Sequence, residues 1–280
     1  MMKPTFQELI GSEVLKTKNG EATATLQMRD VFLNGLGIAH GGFHYHLCTT
    51  AIKAAVGAHV QAVESSIEYY SPINSSDIVR AVGQVDKDGR NFVYAHANLY
   101  VGEKPAAFMS AILLRSDSQI ASGEVKVAQA MLDSLPVSAP SVELTLEGNI
   151  CDCKFTGTDE FLKKMFCYSL GSEIIDRLKG SMSITAQPDE RYADESGAID
   201  ASFFGIMADS TLGLTSFSGD GKTVTMKLMT QLYKKVEPST KLRFRADVVA
   251  EIDRLVYVNG SIRADESLVG SCSGVFCKVI

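Results

Sequence analysis

Along most of this chain, apolar and polar side chains alternate with a period of two, the pattern of strands with one buried face. Glu21–Val31 alternates in this way. In Ala62–Tyr70, Val63, Ile67 and Tyr69 oppose Glu64, Ser66 and Glu68. Three more strand-like runs follow, at Asp77–Asp86, Asn91–Val101 and Ala106–Arg115. The clusters "SPINSSD", "DKDGR" and "VGEKP" between them are rich in turn residues. Two segments break the alternation and read as helices, a short one at Pro4–Leu15 and a long one at His40–Gly57.

The same order recurs in the second half. A helix is expected at Asp159–Leu170, then a strand around Ser181–Gln187 and a helix at Ala201–Phe217. In Lys222–Tyr233, Val224, Met226 and Leu228 stand against Thr225, Lys227 and Met229. Strands are expected at Lys241–Ile252, Val256–Arg263 and Leu268–Val279. The offset between halves is nearly constant: 160 from His40 to Asp200, 163 from Pro72 to Lys235, 164 from Arg90 to Arg254. This points to an internal repeat. The texture changes over Ser116–Gly148, where small polar residues and two prolines suggest a connection, with a helix at Val125–Leu135. The expected organisation is a first domain at 1–125, a linker at 126–148 and a second domain at 149–280. Each half would be α+β, a long helix against four or more antiparallel strands.

Composition narrows the function classes. Of 280 residues 45% are hydrophobic, enough for a sizeable core, and the net charge is −6 without a basic stripe. Nucleic acid and membrane surfaces are therefore not expected partners. No apolar run approaches the roughly 20 residues of a membrane span. The N-terminal stretch lacks the apolar core of a signal peptide, and the six cysteines form no CxxC pair. Reduced thiols in a cytoplasm are the expectation.

The candidate chemistry lies in "NGLGIAHGG", Asn34 to Gly42, at the start of the first long helix. His40, His44 and His46 suggest a metal, but there is no H-E-x-x-H pattern and no histidine beyond His96, so no metal is expected. "SFSGDGKT" lacks the first glycine of a phosphate loop, having Ser216 there. "GSCSG", Gly270–Gly274, has the spacing of a nucleophile elbow but no room for the helix that must follow one. A helix start offers unsatisfied N–H groups at the positive end of a dipole. Gly41, without a side chain, would let its N–H approach a substrate oxygen closely.

A strand, then N-x-x-G-x-x-H-G-G (Asn34, Gly37, His40, Gly41, Gly42), then a long helix and an antiparallel sheet resembles the hotdog-fold acyl-CoA thioesterases. The resemblance is to the phenylacetyl-CoA-type thioesterases in a tandem arrangement, with the length of the thioesterase II type. It implies a double hotdog, each half a long central helix wrapped by a curved antiparallel sheet. The family pattern places an acid nine positions after the histidine. That position is Thr49 in the first half and Asp209 in the second. Where the first half has His40-Gly41-Gly42, the second has Asp200-Ala201-Ser202, with Asp194 opposite Asn34. The halves have lost complementary parts. The resemblance therefore implies one retained site, joining Asn34, His40 and Gly41 to Asp209, and one decayed site, joining Asp194, Asp200 and Ala201 to Thr49. A strand hydroxyl that the family often carries maps to Thr225, with Ala62 as its first-half counterpart.

In that site the Gly41 N–H would stabilise an oxyanion. Asp209 would act as general base or nucleophile, and Thr225 would orient water. Asn34 and His40 would hold water or the thioester, with Gly42 and His44 at the substrate. Lys234 and Lys235 are candidates for the phosphates of a carrier. An acyl-CoA is the expected partner, no cofactor is needed, and a homo-oligomer is implied by analogy. Two alternatives stand beside hydrolysis: a non-catalytic acyl-thioester-binding protein, and an enoyl-thioester hydratase, which Asp200 without a neighbouring histidine disfavours.

Overall fold

The structure, a computed structural model, describes residues 6–16, 20–34, 36–57, 60–115, 172–217 and 222–279. The expected helices at Asp159–Leu170 and Val125–Leu135, and both expected domain boundaries, lie outside the described residues.

In the first half, a short helix α1 (Phe6–Ile10) precedes the strands β1 (Glu13–Lys16) and β2 (Glu21–Gln27). The long helix α2 (Gly41–Val56) follows, then β3 (Val60–Tyr69), β4 (Ile78–Asp88), β5 (Phe92–Val101) and β6 (Lys104–Arg115). The second half has β7 (Ser172–Leu178), β8 (Ser181–Ala186), α3 (Ala201–Ser216) and β9 (Lys222–Leu232). It closes with β10 (Leu242–Ile252), β11 (Leu255–Ala264) and β12 (Ser267–Val279). All strands join one open antiparallel sheet in the order β1-β2-β4-β5-β6-β3-β9-β12-β11-β10-β8-β7. The architecture is α+β.

Three expectations change. The helix expected over Pro4–Leu15 stops at Ile10, where Gly11 takes a left-handed φ of 81° and turns the chain into edge strand β1. The strand expected to reach Val31 ends at Gln27, and a 3₁₀ turn at Asp30–Phe32 replaces its last residues. The strand around Ser181–Gln187 is preceded by a separate edge strand, β7, hydrogen-bonded to it as a hairpin.

The two halves meet along β3 and β9, which pair antiparallel from Glu64↔Gln231 to Glu68↔Lys227. This seam makes one sheet out of two groups of six strands. Helix α2 packs on β2, β4 and β5, and α3 on β9, β10 and β11. The helices also pack against each other. Each is therefore covered on most of its circumference, which is why both are apolar nearly all round rather than striped. Every residue of α3 except Gly213 is buried.

The helix pair depends on matched sizes. A Cβ on Gly205 would run into the ring of Tyr45. Tyr45 is fully buried, and its hydroxyl is fixed to Thr230 Oγ1 at 2.7 Å, so the ring has little freedom to move away. Tyr45 and Gly205 are separated by the same offset of 160 residues as His40 and Asp200. Equivalent positions of the two helices thus face each other as large against small.

Gly205→Ala is expected to destabilise the protein by about 2 kcal/mol. Overpacking costs up to ~3 kcal/mol, and alanine's helix preference returns about 1. In a Tyr45→Ala background the same change should instead stabilise by about 1 kcal/mol. Urea unfolding of the four proteins in this cycle measures both signs.

Candidate active site

Two loops of the same geometry precede the long helices. In the first, Asn34 N bonds Ile38 O at 2.8 Å and Gly37 N bonds Asn34 O at 3.0 Å. In the second, Asp194 N bonds Ala198 O and Gly197 N bonds Asp194 O at the same distances. Gly37 and Gly197 take φ of 77° and 79°, a left-handed turn that favours glycine. The side chain of Asn34 accepts from Leu36 N, and that of Asp194 from Ser196 N. Asn34 therefore shapes the loop. His40 and Asp200 then cap the helices, each accepting the N–H two residues on, from Gly42 and Ser202.

Asp209, in the middle of α3, meets the start of α2. Its Oδ2 lies 3.1 Å from Gly42 N and 2.9 Å from His40 Nδ1. Its Oδ1 accepts a 3.0 Å hydrogen bond from Thr225 Oγ1. The glycines make the approach possible. A Cβ on Gly41 would stand 2.9 Å from Asp209 Oδ2, and one on Gly42 2.7 Å from Ile206 Cα. The Gly41 N–H has no acceptor among the described residues, while the Gly41 carbonyl accepts from Tyr69 Oη at 3.1 Å. Asp209 thus gathers His40, Gly41, Gly42 and Thr225 around its carboxylate. Asn34 makes no direct hydrogen bond to Asp209.

Thr225 reaches Asp209 because of a β-bulge. Uninterrupted alternation in β9 would put Thr225 on the face opposite Leu228. In the pairing with β12, Lys227 faces Val275 and Thr225 faces Phe276, leaving Met226 as an extra residue. The bulge shifts the pleat by one, so that Met226 is 44% exposed and Thr225 turns inward. The expected partition of Val224 and Met226 with Leu228 is corrected at this point. β3 bulges at the matching place, with Val63 as the extra residue between Ala62 and Glu64. Ala62 is buried there and supplies no hydroxyl.

Burial alone would raise the pKa of Asp209. The positive field and hydrogen bond of His40, together with Thr225, outweigh it and hold the carboxyl below the ordinary carboxylate range. His44 lies one turn along α2 with its ring edge-on to Tyr69 at 5.5 Å. Burial pushes its pKa down to about 4 against the opposing pull of Asp209, so it is neutral at pH 7. Both of its ring nitrogens are buried without a hydrogen-bond partner. His46 points elsewhere, with Nε2 3.0 Å from Ser12 Oγ and its ring against Phe6. The three histidines of the opening motif therefore diverge. Two neighbours of the site were not foreseen. Tyr69 ends an ordinary alternating strand, and Ser210, 3.1 Å from His40 Nε2, follows Asp209 without any distinctive spacing.

The second loop holds a different constellation. Lys53, on the last turn of α2, places Nζ 2.6 Å from Asp200 Oδ2 and 3.5 Å from Asp194 Oδ2. Burial opposes the charge on Asp200, but Lys53 overcomes it and draws the pKa down to about 2. Thr49 is not turned to this cluster, its hydroxyl contacting Met109 Sδ. Sequence reading paired the loop with Thr49 and missed Lys53, which looks like an ordinary helix C-terminal cation. A cavity of about 590 Å³, lined in part by Phe6, Val14, His46 and Thr50, opens beside the cluster and leaves it partly solvated. Lys234 and Lys235 line a small pocket on the same cluster, away from Asp209.

Solved structures resemble this chain over its whole length. An acyl-CoA thioesterase II, TesB2, from Mycobacterium marinum matches with a TM-score of 0.66 at 10% identity, covering 98% of this chain and 97% of its own. A protein assigned as a thioesterase II from Thermobifida fusca matches at 0.67 and 16%, covering 100% of both chains. A hot dog fold protein of unknown function from Alicyclobacillus acidocaldarius matches at 0.64 and 9%, covering 96% of both. At these identities the likeness is one of fold, the hotdog fold of thioesterases. No protein-family model matches the sequence, and no curated protein does. No helix among the described residues is long and apolar enough to cross a membrane.

Lys53→Met would leave Asp200 and Asp194 without their cation and should cost about 2–3 kcal/mol at pH 7, discounted for partial solvation. Asp200 has a depressed folded-state pKa, so the stability it contributes is full above the unfolded value and fades as the pH falls toward about 2. The gap between the two proteins should therefore narrow as the pH drops from about 5 to about 3. Denaturant unfolding across that range checks it.

Proposed function

We propose that this protein is a tandem double hotdog that hydrolyses an acyl-CoA or related acyl thioester at one composite site. The loop and helix start would come from the first half and the acid from the second. The observation that carries the reading is the contact of the Asp209 carboxylate with the N-terminus of α2, 3.1 Å from Gly42 N, with Thr225 3.0 Å away on the other oxygen. An ionised carboxylate, a strand hydroxyl and an uncommitted helix N–H are the parts thioester hydrolysis needs. The full-length likeness in fold to thioesterases supports the same reaction class.

In this reading the thioester oxygen takes the Gly41 N–H, which has no internal acceptor, and develops its negative charge there. The helix dipole favours that charge. Asp209 Oδ1, which accepts one hydrogen bond against the closer crowding of Oδ2, draws a proton from water. The water oxygen forms a bond to the acyl carbon. When the C–S bond breaks, the thiolate leaves with the proton that Asp209 took up. Thr225 holds Oδ1 and the water in line. His44, neutral and with two orphaned nitrogens, is available to bind the substrate.

The test is turnover of acyl-CoA substrates of graded chain length, with the thiol released as readout. Asp209→Asn should lower kcat by about 10²-fold or more, and Thr225→Val by about tenfold. Unchanged turnover in Asp209→Asn would remove the acid from the mechanism. The depressed pKa of Asp209 sets a second expectation. The base stays ionised as the pH falls through the ordinary carboxylate value, so the acid limb of kcat/KM should lie below about pH 4. A pH–rate profile corrected for unfolding measures it.

A further inference from the structure

Asp209, His40 and Ser210 form a chain across the helix interface. Asp209 Oδ2 is 2.9 Å from His40 Nδ1, and His40 Nε2 is 3.1 Å from Ser210 Oγ. The order carboxylate–imidazole–hydroxyl is that of a nucleophilic triad. Ser210 is poorly placed to attack. It sits in the middle of α3, is 1% exposed, and its hydroxyl lies 2.9 Å from Ile206 O one turn earlier. A serine hydroxyl has a single proton. Given to Ile206 O, it leaves the Ser210 oxygen as an acceptor, and His40 Nε2 must then carry the hydrogen. Nδ1 in turn faces the Gly42 N–H and Asp209.

We propose that Ser210 is a positioning residue: it accepts the His40 Nε2–H and so fixes the ring with Nδ1 against Asp209 and the Gly42 N–H. The inference rests on the composite site described above, and it adds a residue that neither the motif nor the acid spacing indicates. His40 is held at both ends, by Ser210 from α3 and by Gly42 from its own helix. The charged and titratable groups near this chain are Asp209 on α3, Tyr69 on β3, whose pKa burial raises, and His44 on α2, whose pKa burial lowers. Asp209 is the one that Nδ1 contacts. Nδ1–H faces the Asp209 carboxylate in either case; removing the Ser210 acceptor leaves Nε2–H buried and unpaired, so the hydrogen the ring keeps is the one on Nδ1.

The experiment is ¹⁵N NMR of the five histidines in the full chain, with His40 assigned from a His40→Gln variant. The expected result is a protonated Nε2 in the unaltered protein, a bare Nε2 in Ser210→Ala, and a protonated Nε2 again in Ser210→Thr. Loss of one hydrogen bond should lower kcat in Ser210→Ala by roughly tenfold with KM changed less than about twofold, and the threonine variant should recover most of it. A bare Nε2 in the unaltered protein overturns the proposal without any variant. So does an unchanged Nε2 in folded Ser210→Ala, or a fluorophosphonate or acyl adduct on Ser210, which would make it the nucleophile. The nitrogen signals are read without turnover. An absence of activity on every acyl-CoA would therefore strike the proposed function while leaving the hydrogen-bond assignment to stand or fall separately.

Discussion

The close approach of two helices, one end-on and one side-on, governs much of this molecule. The N-terminus of α2 touches the middle of α3 where neither Gly41 nor Gly42 could carry a methyl group. One turn further along α2, Tyr45 lies over Gly205 for the same reason. The approach brings a helix dipole's positive end to a buried carboxylate, the sign of contact that favours ionisation. It is possible because β3 and β9 hydrogen-bond the two halves into one sheet beneath the helices.

The two loops are alike in backbone and differ in what they meet. At the first, Asp209 finds His40, Thr225 and an N–H donor, and is held as an anion with one helix N–H left over. At the second, the cap is itself a carboxylate, Asp200, and its charge is balanced by Lys53 from the far end of α2. The same loop thus serves an arrangement suited to chemistry in one place and an ion pair that ties the halves together in the other. Large–small matching at Tyr45 and Gly205 also differs between equivalent positions. A symmetric pair of identical halves would set two tyrosines or two glycines against each other. The asymmetry fits halves that have adapted to each other within one chain.

Bulges do the fine aiming. In β9 the extra Met226 turns Thr225 toward Asp209, and in β3 the extra Val63 turns Ala62 to the matching place. A sheet face alternates strictly, so one inserted residue suffices to move a hydroxyl from solvent to a buried acid.

Period-two alternation and turn residues were enough to place ten of the twelve strands within a few residues, the edge strands β1 and β7 excepted. The long helices were legible from their loops and caps, because those signals are local. The candidate pair of Asp209 and the Gly41–Gly42 turn was also legible, through a family resemblance and the complementary loss of parts between halves. Gly11 ending α1, the inward turn of Thr225, the capture of Asp200 by Lys53 and the contact of Ser210 with His40 were not. Apart from Gly11, each depends on a partner distant in sequence: Lys53 and Asp200 are 147 residues apart, Ser210 and His40 170. Sequence by itself determined which residues could donate, accept or allow close approach. Only the tertiary structure decided which of them met, because burial, bulges and the seam between halves set distances that no local pattern encodes.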